Sequence, residues 1–360
     1  MPPGPPGPPG PHGPSGPHGP PGPRGPSGSL KLTDWTSCGG CAAKWGGAPL
    51  RGLISELAAT GDGALLVGLG LFDDAAVYQL SDDLALVSTT DFFPPLVDEP
   101  DDFGAIAAAN ACSDVFAMGG QVVLALNIAA FPEDLPAGVA ERILVAAART
   151  VREAGGTVAG GHTIRAPEPI FGLAVQGTIN PRRVWSKGGS RPGDHLMLSK
   201  PLGTGIVLAG GDDTAKAAAI VGMRTLNRAA AGVLSSLHGA GAVHAVTDVT
   251  GFGLAGHGWE MAERASLQVV IDSGALPLYP RTRELAGAGV RTGGEERNRQ
   301  YLAGHFTSTG DPWAETVVLD PQTSGGLLAA VDGPGAARLG DEGWWEVGRV
   351  DTGPVGVRLA

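Results

Sequence analysis

Beyond position 28 the chain carries apolar residues at two recurring spacings, and each spacing forecasts an element. Leu50, Leu53, Ile54 and Leu57 fall on one face of a helix over 49–59. The run 84–90 reads as a buried strand closing in Thr89-Thr90-Asp91-Phe92-Phe93. A helix fits 101–118, with acidic residues in its first turn and Gly119-Gly120 as its stop. Ile106, Asn110 and Asp114 recur on it every four residues, so two polar side chains share a row. A strand at 122–129, a helix at 137–154, a short strand at 157–159 and a strand at 170–178 follow. The segment 188–194, rich in Gly, Ser, Pro and Arg, reads as a joint between domains. After it come a strand at 195–199, helical patterns at 214–238 and 252–265, and strands near 243–247, 267–271, 327–331, 344–350 and 355–359. Hairpin-like neighbours mix with helices, which points to α+β rather than a doubly wound sheet.

The first 28 residues break this pattern. Glycine recurs at every third position from Gly4 to Gly28, with proline filling most other places. That period is the collagen signature, because only glycine fits the axis of a triple helix. With so few triplets, the reading is a disordered, solvated polyproline arm of roughly 85 Å if fully extended. The domain plan is therefore 1–28 as arm, 29–189 as a first domain and 190–360 as a second, within the size range of ordinary domains.

Composition narrows the partners. The formal charge of −11 argues against nucleic acid or an anionic membrane, since either needs a basic face. Three cysteines are too few for a disulfide framework and suit a reducing, cytoplasmic setting. No charged stretch followed by an apolar one opens the chain, so secretion is not expected, and no apolar run reaches membrane-spanning length.

Candidate chemistry gathers in three places. Thr36-Ser37-Cys38-Gly39-Gly40-Cys41-Ala42-Ala43-Lys44 sets two thiols and an amine around a glycine pair. A nearby ammonium lowers a thiol pKa and attracts phosphate. Cys38 and Cys41 form C-x-x-C, but zinc needs two more ligands and no second pair has suitable spacing. A thioredoxin-like role would want that motif at a strand-to-helix turn. The second place is the set of aspartates Asp73-Asp74, Asp91, Asp114 and Asp248, at strand ends and in turns that can present oxygen ligands to magnesium. Singly, each is equally a cap or a solvated carboxylate. If they converge, pairs about 4 Å apart repel by roughly 4 kcal/mol at an effective dielectric of 20, so the cluster needs cations. The third place is Ala159-Gly160-Gly161-His162-Thr163, read as a turn whose N–H groups could cradle phosphate, with His162 alternatively a core histidine. Neither a Walker A nor a dinucleotide fingerprint is present.

Together these stretches resemble the selenophosphate synthetase (selenide, water dikinase) family. The likeness runs from Leu32 to the C-terminus. It is carried by Ser88-Thr89-Thr90-Asp91-Phe92-Phe93, Ala111-Cys112-Ser113-Asp114-Val115-Phe116-Ala117-Met118-Gly119-Gly120 and Ala159-Gly160-Gly161-His162-Thr163. Further blocks are 166–175, Thr247-Asp248-Val249-Thr250-Gly251-Phe252-Gly253, 294–298 and Asp320-Pro321-Gln322-Thr323-Ser324-Gly325-Gly326. The resemblance implies that ATP, selenide and water give selenophosphate, AMP and phosphate. It implies the two-domain α+β fold of the aminoimidazole ribonucleotide synthetase superfamily, acting as a homodimer whose 29–189 domain binds ATP and magnesium. It assigns catalysis to Cys41 and Lys44, and magnesium to Asp74, Asp91, Asp114 and Asp248. ATP contacts fall to Lys44, Asp73, Asp91 and Asp114, with Gly161, His162 and Thr163 reaching in from the partner subunit. It leaves room for a monovalent cation such as K+. Ala42-Ala43 between thiol and lysine, Leu71-Phe72 before the aspartate pair, and the arm depart from the family pattern. A kinase or ligase of the same superfamily, and a trimeric structural protein assembled by the arm, are the rival readings.

Overall fold

The computed structural model describes residues 31–36, 39–40, 62–69, 73–239 and 241–360. The arm at 1–28, the forecast helix at 49–59, and Cys38, Cys41, Lys44, Leu71 and Phe72 lie outside the described residues.

Two sheets organise what is described. The first has six strands: β1 (Leu65–Val67), β2 (Ala76–Gln79), β3 (Ala85–Phe93), β4 (Gln121–Phe131), β5 (Thr157–Arg165) and β6 (Ile170–Ile179), in the order β1-β2-β3-β6-β4-β5. Every pairing in it is antiparallel except β4 with β5. One face is covered by α1 (Pro100–Ala117), against which α2 (Ala137–Glu153) packs. The alternation in β3 explains the docking: Ala85, Val87 and Phe93 face inward, while Phe92 points out. Phe93, Phe103 and Phe171 meet ring to ring at centroid distances of 6.1 and 6.2 Å. Burying each such side chain stabilises the fold by about 1.5–3 kcal/mol.

The second half is built on a seven-stranded sheet of β7 (His195–Leu198), β8 (Val243–Asp248), β9 (Gln268–Ile271), β10 (Phe306–Ser308), β11 (Leu327–Val331), β12 (Trp345–Asp351) and β13 (Gly356–Leu359). Its order is β10-β13-β9-β12-β7-β11-β8. Around it lie α3 (Thr204–Gly210), α4 (Asp213–Arg224), α5 (Arg228–His238), α6 (Gly253–Ala265), α7 (Thr282–Gly287), α8 (Gly293–Tyr301), α9 (Pro312–Leu319) and α10 (Gly333–Asp341). One apolar core runs from Phe103 and Ile106 of the first half to Met197, Val207 and Leu327 of the second, so the halves are packed together.

Three expectations are corrected. The helical run at 214–238 is two helices, because Thr225 caps α4 and Asn227 precedes α5. The strand begun at Thr157 continues to Arg165, so Gly160-Gly161 is strand rather than turn. At Gly161, with φ +154°, an added Cβ would stand 2.2 Å from the Asn127 carbonyl oxygen of β4, which admits only glycine there. Asp91 lies two residues inside the end of β3 rather than at it.

Candidate active site

In β3, Thr89 and Asp91 occupy inward positions that alternation would give to apolar side chains. They are answered by the polar row on α1. Thr89 donates to Asp114, and Asn110 donates to the Asp91 carboxylate. The Asn110 carbonyl in turn accepts from the Ser324 backbone N–H at 2.8 Å. Ser324 adopts a left-handed φ of +49°, and buried Lys200 donates to its carbonyl at 2.9 Å. The loop Asp320–Gly326 from the second half is thereby latched to α1. Asn227 doubles the latch by donating to Ser113 Oγ and to the Gly325 carbonyl, each at 2.8 Å.

Asp73 and Asp74 sit just before β2, with side chains 0% and 4% exposed. Lys187, in the stretch between the two sheets, donates its backbone N–H to Asp73 Oδ1 and its Nζ to Asp74 Oδ1, both at 2.9 Å. The same Nζ reaches Glu260 Oε2 of α6 at 2.9 Å, and His257 stands 3.2 Å from that oxygen. Thr247 Oγ1 donates to Asp74 at 3.1 Å, from the residue before Asp248. Asp248, at the end of β8, is 1% exposed and accepts from Ser113. Burial, then the neighbouring Asp74, pushes the Asp248 carboxyl up to about 6, and the same two causes bring Asp73 to about 6. Burial alone would raise Glu260, but Lys187 and His257 outweigh it and hold it at about 2.

The aspartates named from sequence thus form two neighbouring groups bridged by α1: Asp73, Asp74 and Asp248 on one side, Asp91 and Asp114 on the other. Among the described residues no three His, Cys, Asp or Glu side chains stand close enough to hold one ion by themselves. The donor set nevertheless fits magnesium, which takes one or two carboxylates and completes its shell with phosphate and water. Among the described residues Asp74 Oδ2 and Asp248 Oδ2 are buried without a hydrogen-bond partner, an arrangement a hard cation would satisfy.

Of the stretch 36–44, the described glycines Gly39 and Gly40 lie beside β3. Gly40 donates its N–H to Pro94 O at 2.9 Å, just past the end of β3. Its φ of +62°, and a position where a Cβ would meet Thr323 Oγ1 at 2.9 Å, both require glycine. Cys112 is sealed inside α1, and its thiol is pushed up to about 12 by burial and then by Asp114. Gly161, His162 and Thr163 stand on the edge strand β5, three strands from Asp91 and so about 14 Å away across the sheet. Lys187, Glu260, His257 and Lys200 were not singled out from sequence. Their side chains lie in a loop or at helix positions with no distinguishing period, and only a charge facing the buried aspartates would have marked them.

Comparison with known proteins places this architecture. The AIR synthase related protein N-terminal domain matches residues 72–179, and the corresponding C-terminal domain matches 191–359. Among solved structures, thiamine monophosphate kinase from Aquifex aeolicus superposes with a TM-score of 0.59 at 19% identity, over 86% of this chain and 96% of that one. The hydrogenase maturation protein HypE in complex with ATP gives 0.53 at 22% identity, over 90% of each chain. The fold is therefore that of the AIR synthase related proteins. Within that class, a selenide, water dikinase from Myxococcus xanthus is 44% identical over 309 residues, 84% of this chain and 87% of the relative. Another from Caldanaerobacter subterraneus subsp. tengcongensis is 42% identical over 316 residues, 86% and 90% of the two chains. The chain belongs to the selenide, water dikinase family.

Proposed function

We propose that the protein makes selenophosphate from ATP, selenide and water, releasing AMP and phosphate and supplying activated selenium for selenocysteine and selenouridine synthesis. The observation carrying this reading is identity of 40–44% with selenide, water dikinases over 83–87% of the chain. The bond from the β-bridging oxygen to the γ-phosphorus of ATP breaks as a phosphorus–selenium bond forms. Water then takes the β-phosphoryl of the resulting ADP, leaving AMP. Asp74, Asp91, Asp114 and Asp248 would hold magnesium, which when bound neutralises the triphosphate and the charge that spreads over the transferring phosphoryl. Thr89 and Asn110 fix the Asp114 and Asp91 carboxylates, while the Lys187 backbone fixes Asp73 toward the nucleotide. Cys41 supplies a soft thiolate suited to reduced selenium, and Lys44 a compact cation for the phosphoryl group. The anchored Gly39-Gly40 pair lets the loop close over the site and exclude water during the first transfer.

The protein acts as a homodimer. The sheet face away from α1 exposes Phe92, Leu126, Ile164 and Tyr78, an apolar surface suited to a second copy. The distance of Gly161–Thr163 from Asp91 in one chain supports their serving ATP bound by the partner. The domain division at 189/190, the cytoplasmic setting suggested by few cysteines, and the role of K+ complete the reading. Phosphorus NMR of a reaction holding ATP, magnesium and selenide tests it: a resonance split by 77Se is expected, and formation of inorganic phosphate alone contradicts it.

A further inference from the structure

We infer that Lys187 is a positioning residue whose ammonium aims Asp74 at the metal, while its backbone holds the neighbouring Asp73. It takes Oδ1 of Asp73 with its backbone and Oδ1 of Asp74 with its ammonium, both at 2.9 Å. The opposite oxygens, Asp73 Oδ2 and Asp74 Oδ2, are buried with no hydrogen-bond partner among the described residues, as is Asp248 Oδ2. Arg264 approaches Asp73 Oδ2 at 3.5 Å, as an ion pair only. The ammonium thus commits one oxygen of Asp74 and leaves the other presented, beside Asp248. A ligating carboxylate that is itself hydrogen-bonded is the usual way a protein fixes ligand orientation.

Lys187 is itself held from both halves. Ser186 accepts from Val246 of β8 at 3.0 Å, and Trp185 donates to Met118 at the end of α1, at 3.1 Å. Glu260 also takes the ammonium, at 2.9 Å, and His257 stands 3.2 Å from the same Glu260 oxygen. Asp74 and Glu260 each hold the ammonium at 2.9 Å, so it is anchored by two buried carboxylates at once.

The inference rests on the proposed function only for the identity of the metal, so its test reads binding without turnover. Manganese(II) binding to the full-length protein is followed by the EPR signal of the free ion, with and without a non-hydrolysable ATP analogue. Lys187→Met is expected to weaken manganese binding by about 10–100-fold, a typical effect of removing a ligand-orienting partner. Raising magnesium should then restore kcat, placing the defect in metal occupancy. Unchanged or tighter manganese binding in a folded Lys187→Met protein overturns the inference, tighter binding meaning that the ammonium competes with the metal. Should that variant not fold, Glu260→Gln releases the ammonium from its second anchor while keeping shape. It is expected to weaken manganese binding by a smaller factor, and unaltered affinity there equally overturns the inference.

Discussion

Of the three thiols, Cys112 is ruled out as nucleophile by its surroundings. Cys112 is buried in α1 with its thiol pushed up to about 12, so it stays protonated and carries no nucleophilic role at neutral pH. Cys112→Ala should keep selenide-dependent turnover and cost roughly 1 kcal/mol of stability by chemical denaturation, an ordinary small-cavity effect. Cys41→Ser keeps shape but replaces the thiolate with a hydroxyl that does not ionise near neutrality, so selenide-dependent AMP formation should collapse. Cys38→Ser should be mild. Loss of activity in the Cys38 variant with survival of the Cys41 variant would reverse the assignment of the two thiols.

At the scale of elements, the site is the meeting of β3 with α1. Strand alternation and the four-residue row of Asn110 and Asp114 made both legible in sequence, because polar side chains at buried positions stand out against the period. What joins them to the second half was not legible. Lys187 lies in a loop, Lys200 just past the end of β7, and the latch of Ser324 to Asn110 spans 214 residues, a pairing no local pattern encodes. The continuation of β5 through Gly160-Gly161 was missed because paired glycines ordinarily signal a turn. Asp91→Asn and Asp114→Asn each keep size while removing charge, and each should abolish turnover at ordinary magnesium concentration with the melting curve retained. Full activity in either would remove that residue from the metal site. Asp73 and Asp248 add a pH dependence. Their folded pKa values near 6 lie above the unfolded value of 3.8, so the stability they contribute is present below about 4 and lost as pH rises through 6. In EDTA these two groups should therefore lower the melting temperature between pH 5 and pH 7.5. Magnesium with ATP should stabilise more at pH 7.5 than at pH 5, because binding displaces those protons. A magnesium–ATP effect independent of pH would show that neither carboxylate faces the bound magnesium or nucleotide.

For the whole molecule, the proposed pairing through the exposed apolar sheet face would bring the edge strand β5 to a partner's site. Leu126→Asp places a charge in the centre of that face and should yield a monomer by ultracentrifugation, with turnover lost because Gly161–Thr163 no longer reach a partner's ATP. An active monomer would contradict the shared site. The Gly-X-Y arm offers no carboxylate and almost no apolar bulk. A triple helix would also impose threefold association on bodies proposed to pair twofold. A chain starting at Ser29 should keep the same dimer, melting temperature and turnover, whereas a full-length trimer or hexamer reverting to dimer on truncation would show that the arm assembles. The chemistry is tested most directly by ATP consumption with and without selenide, resolving AMP from ADP. AMP and phosphate formed in equal amounts, and only when selenide is present, is the expected result. ADP as the accumulating product, or nucleotide turnover indifferent to selenide, would contradict selenophosphate synthesis.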